Sequence, residues 1–184
     1  VNTTYINLNR VVIHNDESLW ISGVNGLYKY LNGGLTTVLI DTNQLVELYD
    51  QTRVLVATTC GVGLLDTSAH QLTYFNQYKN ENEIEVSSMF YDNTTGLIWI
   101  GTISGGMLCF KTGGNDIERV STIHLPHQPI LTITKNSKTS TLFVGIDGQG
   151  LWELSEDGTE LLGMHKEDVN DPYSLQGDGV YDVL

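Results

Sequence analysis

The sequence predicts an all-β chain, a β-propeller fragment of about four four-stranded blades plus the first strand of a fifth. Three observations carry this. A short motif of one large apolar and one small residue returns four times, at spacings of 35, 44 and 44 residues. Gly is abundant and Pro scarce, 19 against 3, in a chain rich in Val, Ile, Leu, Thr and Tyr. No convincing amphipathic stretch of helical period interrupts them. A period of about 40–45 residues holding several short strands is the blade period of propellers. Many glycines among β-branched and aromatic residues suit short strands joined by tight turns.

The motif is L-W-I-S-G at Leu19 to Gly23, V-L-V-A-T at Val54 to Thr58, I-W-I-G-T at Ile98 to Thr102, and L-F-V-G-I at Leu142 to Ile146. Its second residue is large and apolar: Trp20, Leu55, Trp99, Phe143. Its fourth is small: Ser22, Ala57, Gly101, Gly145. A glycine followed by an apolar residue comes next, at Gly26-Leu27, Gly63-Leu64, Gly106-Met107 and Gly150-Leu151.

Each unit reads as four strands in order. The first is an apolar run: Val11 to Ile13, Leu45 to Tyr49, Val86 to Tyr91, Ile130 to Thr134. A polar turn follows at Asn15-Asp16, Asp50-Gln51, Asp92-Asn93 or Asn136-Ser137, where short side chains bond nearby backbone. The second strand is the repeated motif. The third follows the glycine, whose freedom suits a tight turn of positive φ. The fourth is weaker: Leu35 to Leu39, Gln71 to Phe75, Ile117 to Ile123, Glu160 to Met164. The large column is expected to fill the gap between stacked sheets. The small column is expected to let neighbouring backbones approach.

These elements give one propeller fragment over 1–184, with approximate units 1–41, 42–83, 84–127 and 128–167 and the start of another at 168–184. V-Y-D-V-L at Val180 to Leu184 reads as the first strand of that fifth unit. Its large apolar position would fall beyond Leu184, so the chain is expected to be cut from a longer array. A cut array exposes sheet faces and strand edges, and edges template association. A simple closed monomer is therefore not expected, and a homo-oligomer is a possible outcome.

The formal net charge is −13, from 22 acidic and 9 basic residues. Such a surface repels phosphate backbones and anionic membranes, so neither nucleic acid nor membrane is an expected partner. No apolar run approaches the roughly 20 residues that span a bilayer, and no leader pattern is present. Cys60 and Cys109 fit no metal spacing. They are expected to be unpaired, because they fall in different units, on a loop and on a third strand, and the small buried hydrophobe is the favoured reading of both.

One family shares these motifs. N-D-P-Y-S-L at Asn170 to Leu175, followed by a strand, an Asp or Asn turn and an L-I-W-I-G-T-x-x-G-G-M pattern such as Leu97 to Met107, resembles the two-component regulator propeller repeat. The likeness covers nearly the whole chain; the Val54 to Asp66 copy departs most, with Ala57 for Gly and Cys60 in its loop. The resemblance implies the periplasmic sensor region of a Bacteroides-type hybrid histidine kinase–response regulator. It also implies an oligosaccharide ligand released from complex glycans, with the kinase and the remaining blades as partners outside this chain. No cofactor is expected.

The residues alone favour a binding module. Propeller glycosidases need two carboxylates held a fixed distance apart. Asp16, Asp50 and Asp92 sit in repeat-equivalent turns and are read as turn-formers. Glu81, Glu83 and Glu85 read as a solvated connection. His124 and His127 bracket Leu-Pro, and two histidines without a third ligand make a weak metal site. No Ser-His-Asp order, nucleophile elbow or phosphate-cradling loop is visible. No catalytic or metal-ligating residue is therefore assigned. A propeller hydrolase or lyase, or a protein–protein scaffold, remains the competing class. A ligand is expected at the rim where the loops between strands two and three meet those joining the sheets. The first set offers Asn25, Thr59, Ser104, Asp147 and Gln149. The second offers Tyr78, Asn80, His127 and Tyr173.

Overall fold

A computed structural model describes residues 8–39, 45–75, 85–113 and 116–183. The chain forms two compact units, Val1–Ile84 and Glu85–Leu184. Among the described residues there is no helix, and each unit holds two four-stranded antiparallel sheets.

In the first unit, sheet one is β1 (Leu8–Ile13), β2 (Leu19–Gly23), β3 (Gly26–Leu31) and β4 (Gly34–Leu39). Sheet two is β5 (Leu45–Leu48), β6 (Arg53–Thr58), β7 (Gly61–Asp66) and β8 (Leu72–Tyr74). In the second unit, sheet three is β9 (Val86–Asp92), β10 (Leu97–Thr102), β11 (Met107–Gly113) and β12 (Asp116–Val120). Sheet four is β13 (Ile130–Asn136), β14 (Thr141–Ile146), β15 (Gly150–Leu154) and β16 (Leu161–His165). Strand neighbours follow chain order in every sheet. This is the all-β, blade-like architecture the repeat predicts.

The first turn of every sheet is built alike. The Oδ1 of Asp16, Asp50, Asp92 and Asn136 accepts the backbone N–H two residues on, from Ser18, Thr52, Thr94 and Lys138. These are Asx turns, which short carboxyl and amide side chains form because they reach their own backbone. The hydroxyls of Ser18 and Thr94 donate to the same oxygens. The Ser18 bond foremost holds the Asp16 carboxyl below the usual carboxylate range.

Within each unit the following sheet covers the preceding one. Val12, Trp20 and Leu27 of sheet one share a core with Val46, Val54, Val56 and Leu65 of sheet two. Trp99, Met107 and Cys109 of sheet three share one with Ile133, Leu142, Val144 and Leu154 of sheet four. Full burial of each large side chain contributes about 1.5–3 kcal/mol. Each Trp also meets an outer turn of the next sheet. Trp20 lies edge-on to His70 at 6.2 Å between ring centroids. Trp99 lies so close to Gly158 that an added Cβ would be 2.6 Å from its ring.

The small column does what its position implies. A Cβ on Gly101 would stand 2.6 Å from Ile130, which opens β13 of the next sheet. A Cβ on Gly145 would stand 2.3 Å from the Val180 carbonyl oxygen. Val180 thus lies over β14 as Ile130 lies over β10.

Two expectations need correction. Residues 178–183 occupy the place of a fifth first strand, beside β14, but form no strand. A strand is defined by its ladder, and no second strand pairs with this segment among the described residues. The second repeat is also in a different register from the one expected. Thr58 pairs with Gly61, as Gly23 pairs with Gly26, so Gly61-Val62 takes the place assigned to Gly63-Leu64. Gly61 has φ +130, whereas Gly63 is small for another reason: an added Cβ would lie 2.4 Å from the Thr73 carbonyl oxygen.

Candidate functional site

The loops between second and third strands hold all five residues assigned to them. Asn25 lies in the two-residue turn closed by the Gly23–Gly26 pair, and Thr59 in the one closed by Thr58–Gly61. Both are exposed. Tyr78 and Asn80 lie outside the described residues, so the first unit contributes Asn25 and Thr59.

The second unit brings most of its candidates into one line. Ser104 is exposed on the β10–β11 loop, next to Gly105. A Cβ on Gly105, which has φ +91, would lie 2.5 Å from the Cα of His127, so this loop rests directly on the connection between sheets three and four. Only glycine permits both the conformation and the approach. Two residues beyond His127, the Pro129 carbonyl accepts the Asp147 N–H at 3.0 Å. The β14–β15 loop then presents Asp147, exposed, and Gln149, half-buried. Gln149 Oε1 accepts the Lys166 ammonium at 2.9 Å. Gly150 N–H donates to the Asp178 carbonyl at 2.9 Å, and the Asp178 carboxylate accepts the Glu167 N–H at 2.7 Å.

Ser104, His127, Asp147 and Gln149 therefore follow one another along one edge of the unit. Lys166 and Asp178 complete it and were missed. Their signal was positional: Lys166 follows the fourth strand at the end of the sheet that carries the 147–149 loop. Beside His127, the Gln128 Oε1 is buried with no hydrogen-bond partner among the described residues.

Tyr173 lies on the segment that runs from Lys166 to Asp178. Its loop is tied down by Ser174, whose hydroxyl donates to the Asp171 carbonyl at 2.8 Å and accepts the Asp168 N–H at 2.9 Å. The Asp171 carboxylate accepts the Tyr173 N–H at 2.9 Å. The ring itself is 95% exposed. A fixed loop thus carries a solvent-facing aromatic.

The residues weighed for other chemistry are occupied structurally or exposed. Asp92 accepts from Thr94, Thr95 and Lys135. Burial opposes its ionisation, but these bonds outweigh it and hold the carboxyl below the usual range. Glu81 and Glu83 lie outside the described residues, and Glu85 is exposed. The His124 and His127 rings meet edge to face at 5.7 Å. Among the described residues no three His, Cys, Asp or Glu gather as a metal site. Cys60 and Cys109 are both free thiols. Cys109 is the buried hydrophobe expected, its thiol pushed up to about 12 mainly by burial. Cys60 is exposed instead, in the two-residue turn closed by Thr58 and Gly61.

No protein-family model matches the sequence, and no curated protein matches it. Solved structures do. The extracellular domain attributed to a one-component system of B. thetaiotaomicron aligns with TM-score 0.77 at 20% identity, over 98% of this chain and 25% of that one. PorZ, a surface component of the type-IX secretion system of Porphyromonas gingivalis, aligns at 0.72 and 14% identity, over 99% of this chain and 31% of PorZ. The extracellular domain attributed to a hybrid two-component system of B. thetaiotaomicron aligns at 0.67 and 17% identity, over 91% and 24%. An ancestral GH74 enzyme aligns at 0.65 and 12% identity, over 90% and 26%. The fold is thus shared with extracellular domains of such signalling systems, the class the N-D-P-Y-S-L and W-I-G-T motifs resemble. The chain spans about a quarter of the length of the domains it matches.

Proposed function

We propose that this chain is part of an extracytoplasmic sensor region that binds glycan-derived oligosaccharides and signals to a kinase outside it. The observation that carries this is the line Ser104, His127, Asp147, Gln149 and Lys166 along one edge of the second unit. Amide, carboxylate, hydroxyl and ammonium groups stand there on short loops fixed by strands. Polyhydroxylated ligands are held by such convergent polar groups, and an aromatic face beneath a sugar ring adds to them; exposed Tyr173, on the segment between Lys166 and Asp178, would supply it. The fold shared with extracellular domains of signalling systems supports the sensor reading and a periplasmic location. The remaining blades and the kinase would belong to the parent protein.

A propeller glycoside hydrolase is the second reading, favoured by the fold shared with the GH74 enzyme. It requires a pair of carboxylates flanking the scissile bond. Asp147 and Asp178 are two carboxylates of this edge, beside Glu85 and Glu167, and Asp178 is engaged by the Glu167 N–H. Incubation with a panel of defined oligosaccharides separates the readings. Saturable heat of binding with unchanged oligosaccharide supports the sensor. Release of new reducing ends supports the hydrolase. No binding and no turnover across the panel sinks both.

A further inference from the structure

Resting on the sensor reading, we infer that the ligand of this edge is an oligosaccharide bearing free amino groups, and that glycans bearing uronate or sulfate are rejected. The reason lies in where the second unit places its charges. Glu85, Asp147, Glu167 and Asp178 border the line. The Glu85 carbonyl accepts the Ile103 N–H at 2.9 Å, which sets Glu85 beside the Ser104 loop. Asp147 stands on the line itself. The Glu167 N–H donates to the Asp178 carboxylate, which holds these two together at its far end. Glu85, Asp147 and Glu167 are all exposed.

Cations are scarce here and gather at the other end of the sheets. Lys111 stands opposite Leu97, where β10 begins, far from the Ser104 loop that follows its end. Lys135 and Lys138 flank the first turn of sheet four, again at the end away from the 147–149 loop. Arg119 lies on β12, opposite Phe110. Lys166 brings an ammonium to the line, but that group bonds the Gln149 Oε1. Among the described residues no cation pairs with the carboxylates of Glu85, Asp147, Glu167 or Asp178. The nearby imidazoles have other neighbours: His127 meets His124, and His165 Nε2 lies 3.4 Å from the Glu153 carboxylate.

The ligand's charge follows from this placement. A binding edge lined by one sign of charge concentrates the opposite sign and repels its own. A uronate or sulfate would set a further anion beside carboxylates that no cation offsets. An amino sugar keeps the hydroxyls that Ser104, Gln149 and the loop backbone can bind. It adds an ammonium for the carboxylates, and hydrogen bonds between ionised partners are the stronger kind. The net charge of −13 would draw a polycation to any part of the chain. What makes the preference local is that cations accompany the carboxylates at the opposite end, as Lys135 accompanies Asp92 and Glu156, and do not at this one.

The test is titration calorimetry with three β-1,4 or α-1,4 hexamers that differ in charge: glucosamine, N-acetylglucosamine and galacturonate. Mildly acidic buffer keeps the sugar amines charged. The expected result is that the glucosamine hexamer binds at least tenfold more tightly than the N-acetylated one, and that the galacturonate hexamer gives no saturable heat. High salt should shrink that ratio, because exposed charges are screened. Asp147→Asn/Glu167→Gln should bring the ratio close to one. Glu118→Gln/Glu160→Gln removes the same charge from exposed positions off this edge and should leave the ratio as in the parent. A ratio that both double variants lower equally overturns the inference, since net charge then explains it. So does a glucosamine hexamer that fails to bind, or a neutral or acidic hexamer that binds as tightly; binding by any uncharged or acidic sugar leaves the sensor reading standing, whereas silence across the whole oligosaccharide panel ends that reading too.

Discussion

The Lys135 ammonium lies 2.7 Å from the Asp92 carboxylate and joins two sheets through the first turn of the earlier one. Its second partner is Glu156, at 2.6 Å. Lys135 comes from β13, at the repeat position that Ile13 fills in sheet one. Both Lys135 and Asp92 are more than nine-tenths buried. Burial alone would lower the Lys135 pKa, but the two carboxylates reverse that and raise it. Removing one partner of a buried pair strands the other charge. Lys135→Met should therefore cost about 3 kcal/mol, read from urea denaturation.

Acid should weaken the fold in a defined direction. Asp16, Asp50, Asp66, Asp92 and Asp157 are all held below the usual carboxylate range. A depressed folded pKa adds stability that is present above the unfolded value, about 3.9, and is lost as pH falls through the folded one. Melting temperature should be level near neutral pH and fall below about pH 4. Asp92→Asn should be less stable than the parent at pH 7, and the gap should close as pH drops through that range. A gap that is the same at pH 7 and pH 2.5 would contradict this.

Gly101 should respond to alanine and Gly113 should not. A Cβ at Gly101 meets Ser88 Oγ at 2.3 Å and Ile130 at 2.6 Å, whereas one at Gly113 meets nothing within 4 Å. Overpacking of this kind costs about 1–3 kcal/mol. Gly101→Ala should be destabilised by that amount and Gly113→Ala should be within about 0.5 kcal/mol of the parent. Paired thermal melts check it.

The two thiols should differ in reactivity. Cys60 is exposed, and Cys109 is buried with its thiol pushed up to about 12. The thiolate is the reactive form. Native alkylation at pH 8 should label Cys60 alone, and Cys109 only after denaturation, by intact and peptide mass.

The repeat made the fold legible because each column has one physical cause. Trp20 and Trp99 fill the space between sheets, Gly101 and Gly145 let the next chain segment approach, and Asp16, Asp50, Asp92 and Asn136 close their turns locally. These are short-range or strictly periodic effects, so they leave a mark in a single sequence. The register of the second repeat misled because two glycines stand two residues apart, Gly61 and Gly63, and only one needs positive φ. The site was legible as loops and not as a line. What joins Ser104 to His127 is the fit of Gly105 against a backbone over twenty residues away. What joins Gln149 to Lys166 is a bond across β15 and β16. Neither contact has a local signature. Lys135, the clasp to Asp92, has none either, since its equivalents in the other sheets are the uncharged Ile13, Leu48 and Tyr91.

The most direct test of the binding reading is titration calorimetry of the chain with whichever oligosaccharide of the defined panel gives saturable heat, repeated on the Asp147→Ala/Gln149→Ala double variant. Loss of paired polar contacts costs about 1–3 kcal/mol. The account predicts an affinity lower by that amount, with a melting temperature within a degree or two of the parent. Undiminished affinity in the double variant would contradict it and place the ligand away from this edge.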